Sequence, residues 1–182
     1  MSLFLKKQLP TFSNLDAYVD YVLKYIKPLS GALGDTKLFT NKRFKEFNDS
    51  EDFNEDILYI FKDDGTLLIS VDGNVSEGHW ESIDNKKSLL IKTGGKAPKM
   101  ELYDLAFLSD EFMILKKHGN QKRIGKKKYL LLGLEGPNSK LEWYEVMEKI
   151  FDLYQKNWVF SLLIMAGIFL FLIIIISVFF LN

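Results

Sequence analysis

Glu77, His79 and Glu81 are the residues of this chain whose types and spacing most invite chemistry. Alternate positions of a strand share a face, so two carboxylates would flank an imidazole while Trp80 pointed the other way. A metal centre needs its ligand atoms within about 2.0–2.3 Å of one ion. Side chains at i and i+2 stand about 6.5–7 Å apart along a strand, too far to share an ion without neighbours. The trio therefore reads as a solvated face over a core tryptophan. His118 falls in a hairpin tip, and the linear order offers no Ser–His–Asp or Cys–His arrangement. The chain has no Cys, which excludes a disulfide framework, thiolate metal ligation, thiol catalysis and a lipid-bearing thiol. A phosphate-cradling loop needs G-x-x-x-x-G-K-[ST]; "GGKA" at 94–97 and "GDTK" at 34–37 both fall short of it. The acidic run "NDSEDFNED" lacks the central Gly and final Glu of a calcium loop and reads as a solvated linker. The expectation is a non-enzymatic protein without catalytic residues, cofactor or metal.

Charge is concentrated in one place. Lys116, Lys117, Lys122, Arg123, Lys126, Lys127 and Lys128 put seven positive charges into thirteen residues of a chain whose 24 basic and 24 acidic side chains cancel. The cluster is either a solvated hairpin end or a membrane-surface, anion-binding site. Near an anionic leaflet each such residue contributes ~1 kcal/mol. Nucleic acid is disfavoured, because no aromatic residue interleaves the cluster before Tyr129.

The elements that must position these residues follow from periodicity. "SNLDAYVDYVLKYIKP" predicts an amphipathic helix, capped by Ser13, with Leu15, Val19, Val22 and Ile26 on one stripe and Pro28 as its stop. The period then becomes two. Strands are expected over 38–47, 56–62, 66–71, 78–83, 88–93, 99–107, 111–117 and 128–134, separated by turn signals such as "DDG" and "DGN". The fold class is mainly β: an antiparallel meander or barrel of about eight strands, since closure removes exposed edges. Several strands are apolar on both faces, and the N-terminal helix is the obvious cover. Ser139 and Glu142 predict a capping box, followed by a helix from Lys140 with Trp143, Met147, Ile150, Tyr154 and Trp158 on one stripe.

That helix is expected to enter the membrane. From Trp158 to Leu181 only Ser161 and Ser177 are polar, and 24 helical residues span about 36 Å, against a bilayer core of ~30 Å. Trp158 suits an interfacial anchor. The expected layout is an N-terminal amphipathic helix and loop (1–36), a β-barrel-like domain (37–136), an amphipathic connector helix (137–157) and a transmembrane helix (158–181). "MSLFLKKQLP" is too short and too interrupted by Lys6 and Lys7 for a signal-peptide core. The expectation is a tail-anchored, single-pass protein of the cytoplasmic (inner) membrane with its domain in the cytoplasm.

A block of the barrel region carries a further pattern. Phe61, then Asp64-Gly65-Thr66, Gly78-His79-Trp80, Leu89-Leu90-Ile91, Tyr103-Asp104-Leu105 and Met113-Ile114-Leu115 follow one another at strand spacing. In this it resembles the lipocalin-like domains common in Bacteroidota proteins. The resemblance covers about a third of the chain and implies a lipocalin-like barrel that binds a small apolar molecule or a protein. Strong anchoring without chemistry favours an adaptor that binds a protein partner, as an accessory subunit of a membrane complex. The alternative is a lipid or small apolar ligand held in the barrel interior.

Overall fold

A computed structural model describes residues 10–83, 85, 87–94, 98–119 and 127–181, the side chains of 154–163, 174–175 and 177–181 excepted. Helix α1 (Leu15–Ile26) precedes eight strands, and a long helix α2 (Trp143–Leu181) follows them. The strands are β1 (Arg43–Phe47), β2 (Ile57–Phe61), β3 (Thr66–Val71), β4 (Asn74–Ile83), β5 (Ser88–Thr93), β6 (Lys99–Leu108), β7 (Phe112–Lys117) and β8 (Tyr129–Leu134). Each pairs antiparallel with its neighbours in sequence order, and β1 pairs with β8 to close the barrel. Tight turns make this meander affordable in chain length: Asp72 and Gly73 both take positive φ (49° and 83°), the geometry of a two-residue hairpin turn that matches strand twist.

Alternation sends one set of side chains inward. Phe44, Phe61, Leu67, Leu89, Met113, Leu115 and Leu132 are fully buried and belong to one cluster with Trp80, Ile91, Tyr103 and Leu130. The end of the barrel where β2 meets β3 is sealed. Phe39, Phe61 and Trp80 pack as three mutually edge-on rings, with centroids 5.2–6.0 Å apart. The Trp80 indole N–H donates to the Lys62 carbonyl at 2.8 Å, and its backbone N–H to Gly65 at 2.8 Å. Gly78 must lack a side chain, because a Cβ there would lie 2.3 Å from the Lys92 carbonyl oxygen of β5. The "G-H-W" run is thus a close strand crossing followed by a plug residue.

The expected first strand is shorter than the pattern suggests. Thr36–Leu38 forms a 3-10 turn, and Asn41 at φ 56° breaks the extension. The segment instead carries Leu33 and Phe39 across the sealed end. On β6 a register shift between Leu105 and Phe107 leaves both Ala106 and Phe107 outside and returns Leu108 to the interior, as an extra residue in one strand must.

A second core lies outside the barrel. Leu15, Tyr18, Val19, Val22 and Ile26 of α1, with Val146, Met147, Ile150 and Phe151 of α2, cover Phe47, Phe107, Phe112, Ile114, Tyr129 and Leu131. This accounts for the two-sided apolar character of β7 and β8. The cover is shared between two helices, where the sequence suggested one. Both helix starts differ from expectation by short distances. Asn14, not Ser13, caps α1, its side chain accepting from the Ala17 N–H at 2.9 Å. Ser139 spends its hydroxyl on the Gly136 carbonyl at 3.1 Å. The reciprocal bond falls three residues later, from the Glu142 N–H to the Glu145 carboxylate at 2.8 Å, and α2 begins at Trp143 instead of Lys140.

Among the described residues no helix is long and apolar enough to cross a membrane. Within the apolar half of α2 the described side chains are those of 164–173 and 176. The large apolar ones among them are 45–66 % exposed on every side of the helix.

Candidate functional site

The basic cluster is only partly a surface feature. Lys116 is exposed on the outside of β7, whereas Lys117, one residue on, bonds the Glu101 carboxylate at 2.9 Å. Lys127 is paired with Asp49 and Lys128 with Asp20 at 2.6 Å. Lys122, Arg123 and Lys126 lie outside the described residues, as does the side chain of Trp158. The acids are supplied by α1 and the chain after β1. Asp16 accepts the backbone N–H groups of Lys128 and Tyr129 at 3.0 and 3.2 Å. Asp20 accepts the Tyr129 hydroxyl at 2.7 Å, and Asp49 the Leu15 N–H at 2.7 Å.

This clasp fixes the start of α1 against the base of the β7–β8 hairpin. Burial pushes the Asp20 carboxyl up, but bonds from Lys128 and Tyr129 and the charges of Lys128 and Lys116 outweigh it, leaving it below its ordinary value. Asp49 is likewise raised by burial and lowered further by Lys127 and the Leu15 N–H, for a net depression. Tyr129 is pushed well up by burial and by its bond to Asp20, so it stays a donor.

A second polar group lines the barrel end opposite the plug. Glu46, in phase with inward Phe44, accepts the Tyr59 hydroxyl at 2.9 Å. Glu101, in phase with inward Tyr103, accepts that tyrosine's hydroxyl at 2.7 Å and the Lys117 ammonium. Inward-facing side chains are sealed at the plugged end, whereas Glu46, Ile57, Tyr59, Val71, Glu101 and Lys117 are half-buried here. Burial holds the Glu46 carboxyl above its ordinary value despite bonds from Tyr59 and Asn48 and the charges of Lys127 and Lys117. Tyr59 and Tyr103 are pushed far up, first by burial and then by the carboxylates they bond. The mouth is thus a half-buried polar rim above the fully buried inward side chains of the plugged half.

These mouth residues were missed by sequence reasoning. A usable signal existed: Glu46 and Glu101 share the inward phase of Phe44 and Tyr103, where an acid must find partners. The Asp16, Asp20 and Asp49 side of the clasp had no such signal, because its partners lie 34 to 113 residues away in sequence.

The fold also brings a hydroxyl, a carboxylate and an imidazole together. The Ser88 hydroxyl donates to Asp104 at 3.0 Å, and His118 Nδ1 lies 3.1 Å from the same oxygen. Asp104 stands between the other two, so the imidazole is not placed to take the serine proton, as nucleophilic catalysis requires. Glu77, His79 and Glu81 are exposed on the outer face of β4 with Trp80 buried behind them. Among the described residues no three His, Cys, Asp or Glu side chains converge on a point that could hold a metal ion. Compared with protein-family models, curated proteins and solved structures, the chain matches none.

Proposed function

We propose that this chain is a membrane-anchored, non-catalytic module that presents a solid β-barrel to a protein partner. One observation carries the reading. A single helix contributes Val146, Met147, Ile150 and Phe151 to the core of the domain and continues without a break to apolar side chains exposed all round over 164–173. A helix apolar on every side is stable only when buried in protein or in lipid, and lipid is the surrounding this reading gives it. The continuity holds the barrel at a set distance from the bilayer, with no loose tether between.

The full burial of the inward Phe44, Phe61, Leu67, Leu89, Met113, Leu115 and Leu132 side chains supports recognition at the surface. The helices cover β1, β7, β8 and the end of β6, while Leu58, Ile60, Leu68 and Leu90 on the outer faces of β2, β3 and β5 are half-buried and lie outside the helix-covered cluster. Met100, 63 % exposed, extends that face. The lipocalin-like resemblance fits a barrel closed at one end by a tryptophan plug and is kept as a proposal about ancestry.

The test has two arms. The full chain should stay with membranes in alkaline carbonate, and mild detergent should release it with a partner in fixed stoichiometry that Met100→Asp loses while its melting is unchanged. Extraction by carbonate, or repeated isolation of a lone monomer, would sink the reading. A second reading, a small ligand at the mouth, is favoured by the solvent-reached Glu46–Tyr59 and Glu101–Tyr103–Lys117 groups. Native mass spectrometry of the gently purified chain would show the added mass.

A further inference from the structure

A cavity of about 260 Å³ lies where the chain before α1 meets the first two turns of α2, with Phe12, Tyr18, Trp143, Tyr144 and Glu148 in its wall. Its aromatic rings are arranged as a box. Phe12 and Tyr18 stack at 4.6 Å and 27° to form one side. Trp143 stands edge-on to Tyr18, at 6.3 Å and 86°. Tyr144 stands perpendicular to Trp143, at 5.9 Å and 90°. Two pairs of rings thus stand at right angles beside the cavity, Tyr18 with Trp143 and Trp143 with Tyr144.

The charge at the opening is negative. Glu148 makes no ion pair with another described residue. Lys149 is turned away to Glu111 and Asn138, at 2.9 and 2.8 Å. Glu148 lines the cavity, and burial, followed by the charges of Glu148 and Asp152, pushes the Tyr18 phenol beside it up to about 12. The positive end of α2 is met by Glu145 on the Glu142 N–H.

We propose that this cavity binds the quaternary ammonium group of a small soluble molecule of the choline type. Aromatic faces attract a cation through their quadrupoles, more strongly when it is desolvated. A primary ammonium would bring three N–H donors to a wall whose side-chain acceptors are Glu148, the Thr11 hydroxyl and the tyrosine hydroxyls, and would give up its strong hydration to meet them. A methylated ammonium has no donors to satisfy, and its methyl groups fill the box. Among the described residues of the wall there is no cation to meet an anion. A bilayer headgroup is the other source of the same chemistry, but Trp143 stands fifteen residues, or about 22 Å of helix, before Trp158. That is beyond a headgroup layer of ~5–8 Å for an upright helix.

The test uses the full chain in maltoside micelles, whose headgroup carries no ammonium. Calorimetric titration with choline should show saturable binding, and the isostere with carbon in place of nitrogen should bind about tenfold more weakly, a difference of ~1.4 kcal/mol. Glu148→Gln and Tyr144→Ala alter residues at the exposed rim, Tyr144 being 47 % exposed; each should weaken choline about five- to tenfold with unchanged circular dichroism. Equal binding of choline and its isostere, or full affinity in both variants, overturns the proposal. Choline affinity equal in phosphatidylcholine and phosphatidylglycerol vesicles supports the soluble ligand. A selective loss in phosphatidylcholine shows the headgroup already in place and overturns that assignment.

Discussion

Glu46 shows how one side chain can oppose the fold that surrounds it. Its carboxyl is held above the ordinary value of 4.5 by burial, so the folded chain binds that proton more tightly than the unfolded one. Stability from this group is therefore full below pH 4.5 and declines as pH rises through the raised value. Glu46→Gln keeps an acceptor for the Tyr59 hydroxyl and removes the ionisation. The variant should melt at or above the wild-type temperature at pH 7 and show a flatter profile between pH 5 and 8; a variant that melts lower throughout refutes the account. At this scale the sequence was legible wherever a residue's job is local. Trp80 facing the core opposite Glu77, His79 and Glu81 follows from alternation alone. The partners of Lys127 and Lys128 were illegible, because a charge run in a sequence carries no record of which acids a distant helix will bring to it.

Among the elements, α1 is held by two kinds of force, and they can be separated. Its apolar stripe packs chiefly against α2 and reaches β6 and β8, while Asp16 satisfies two backbone N–H groups of the hairpin base. Asp16→Ala leaves both donors without that acceptor at a part-buried site, for an expected loss of about 1–3 kcal/mol by urea unfolding; Asp16→Asn should recover part of it. The depressed Asp20 and Asp49 carboxyls contribute stability that is present above their ordinary value of 3.8. It is lost as pH falls through their lowered folded values. All eight strands and both helices could be read from periodicity, since a period of two or of 3.6 is written locally. The errors sit at starts: Ser13 and Ser139 had the chemistry of caps, but the neighbouring Asn14 and Glu142 hold the cap positions. Barrel closure required the β1–β8 pairing, which joins Phe44 to Leu134, and no local pattern announces so distant a contact.

For the molecule as a whole, the second core matters most, because it is assembled from the two ends of the domain. Val146, Met147, Ile150 and Phe151 are nearly or wholly buried in it. At about 1.5–3 kcal/mol for each fully buried apolar side chain, they match the 5–15 kcal/mol by which whole domains are stable. A chain ended after residue 141 should therefore fail to melt cooperatively and should bind a hydrophobic dye. One ended after Leu153 should melt as a unit and no longer sediment with membranes. If the shorter fragment folds as well as the longer one, the helix is only a leash. The arrangement has a consequence for shedding. A cut between Trp143 and Ile150 would not release a working barrel, because Ile150 and Phe151 would leave the second core together with the rest of the helix.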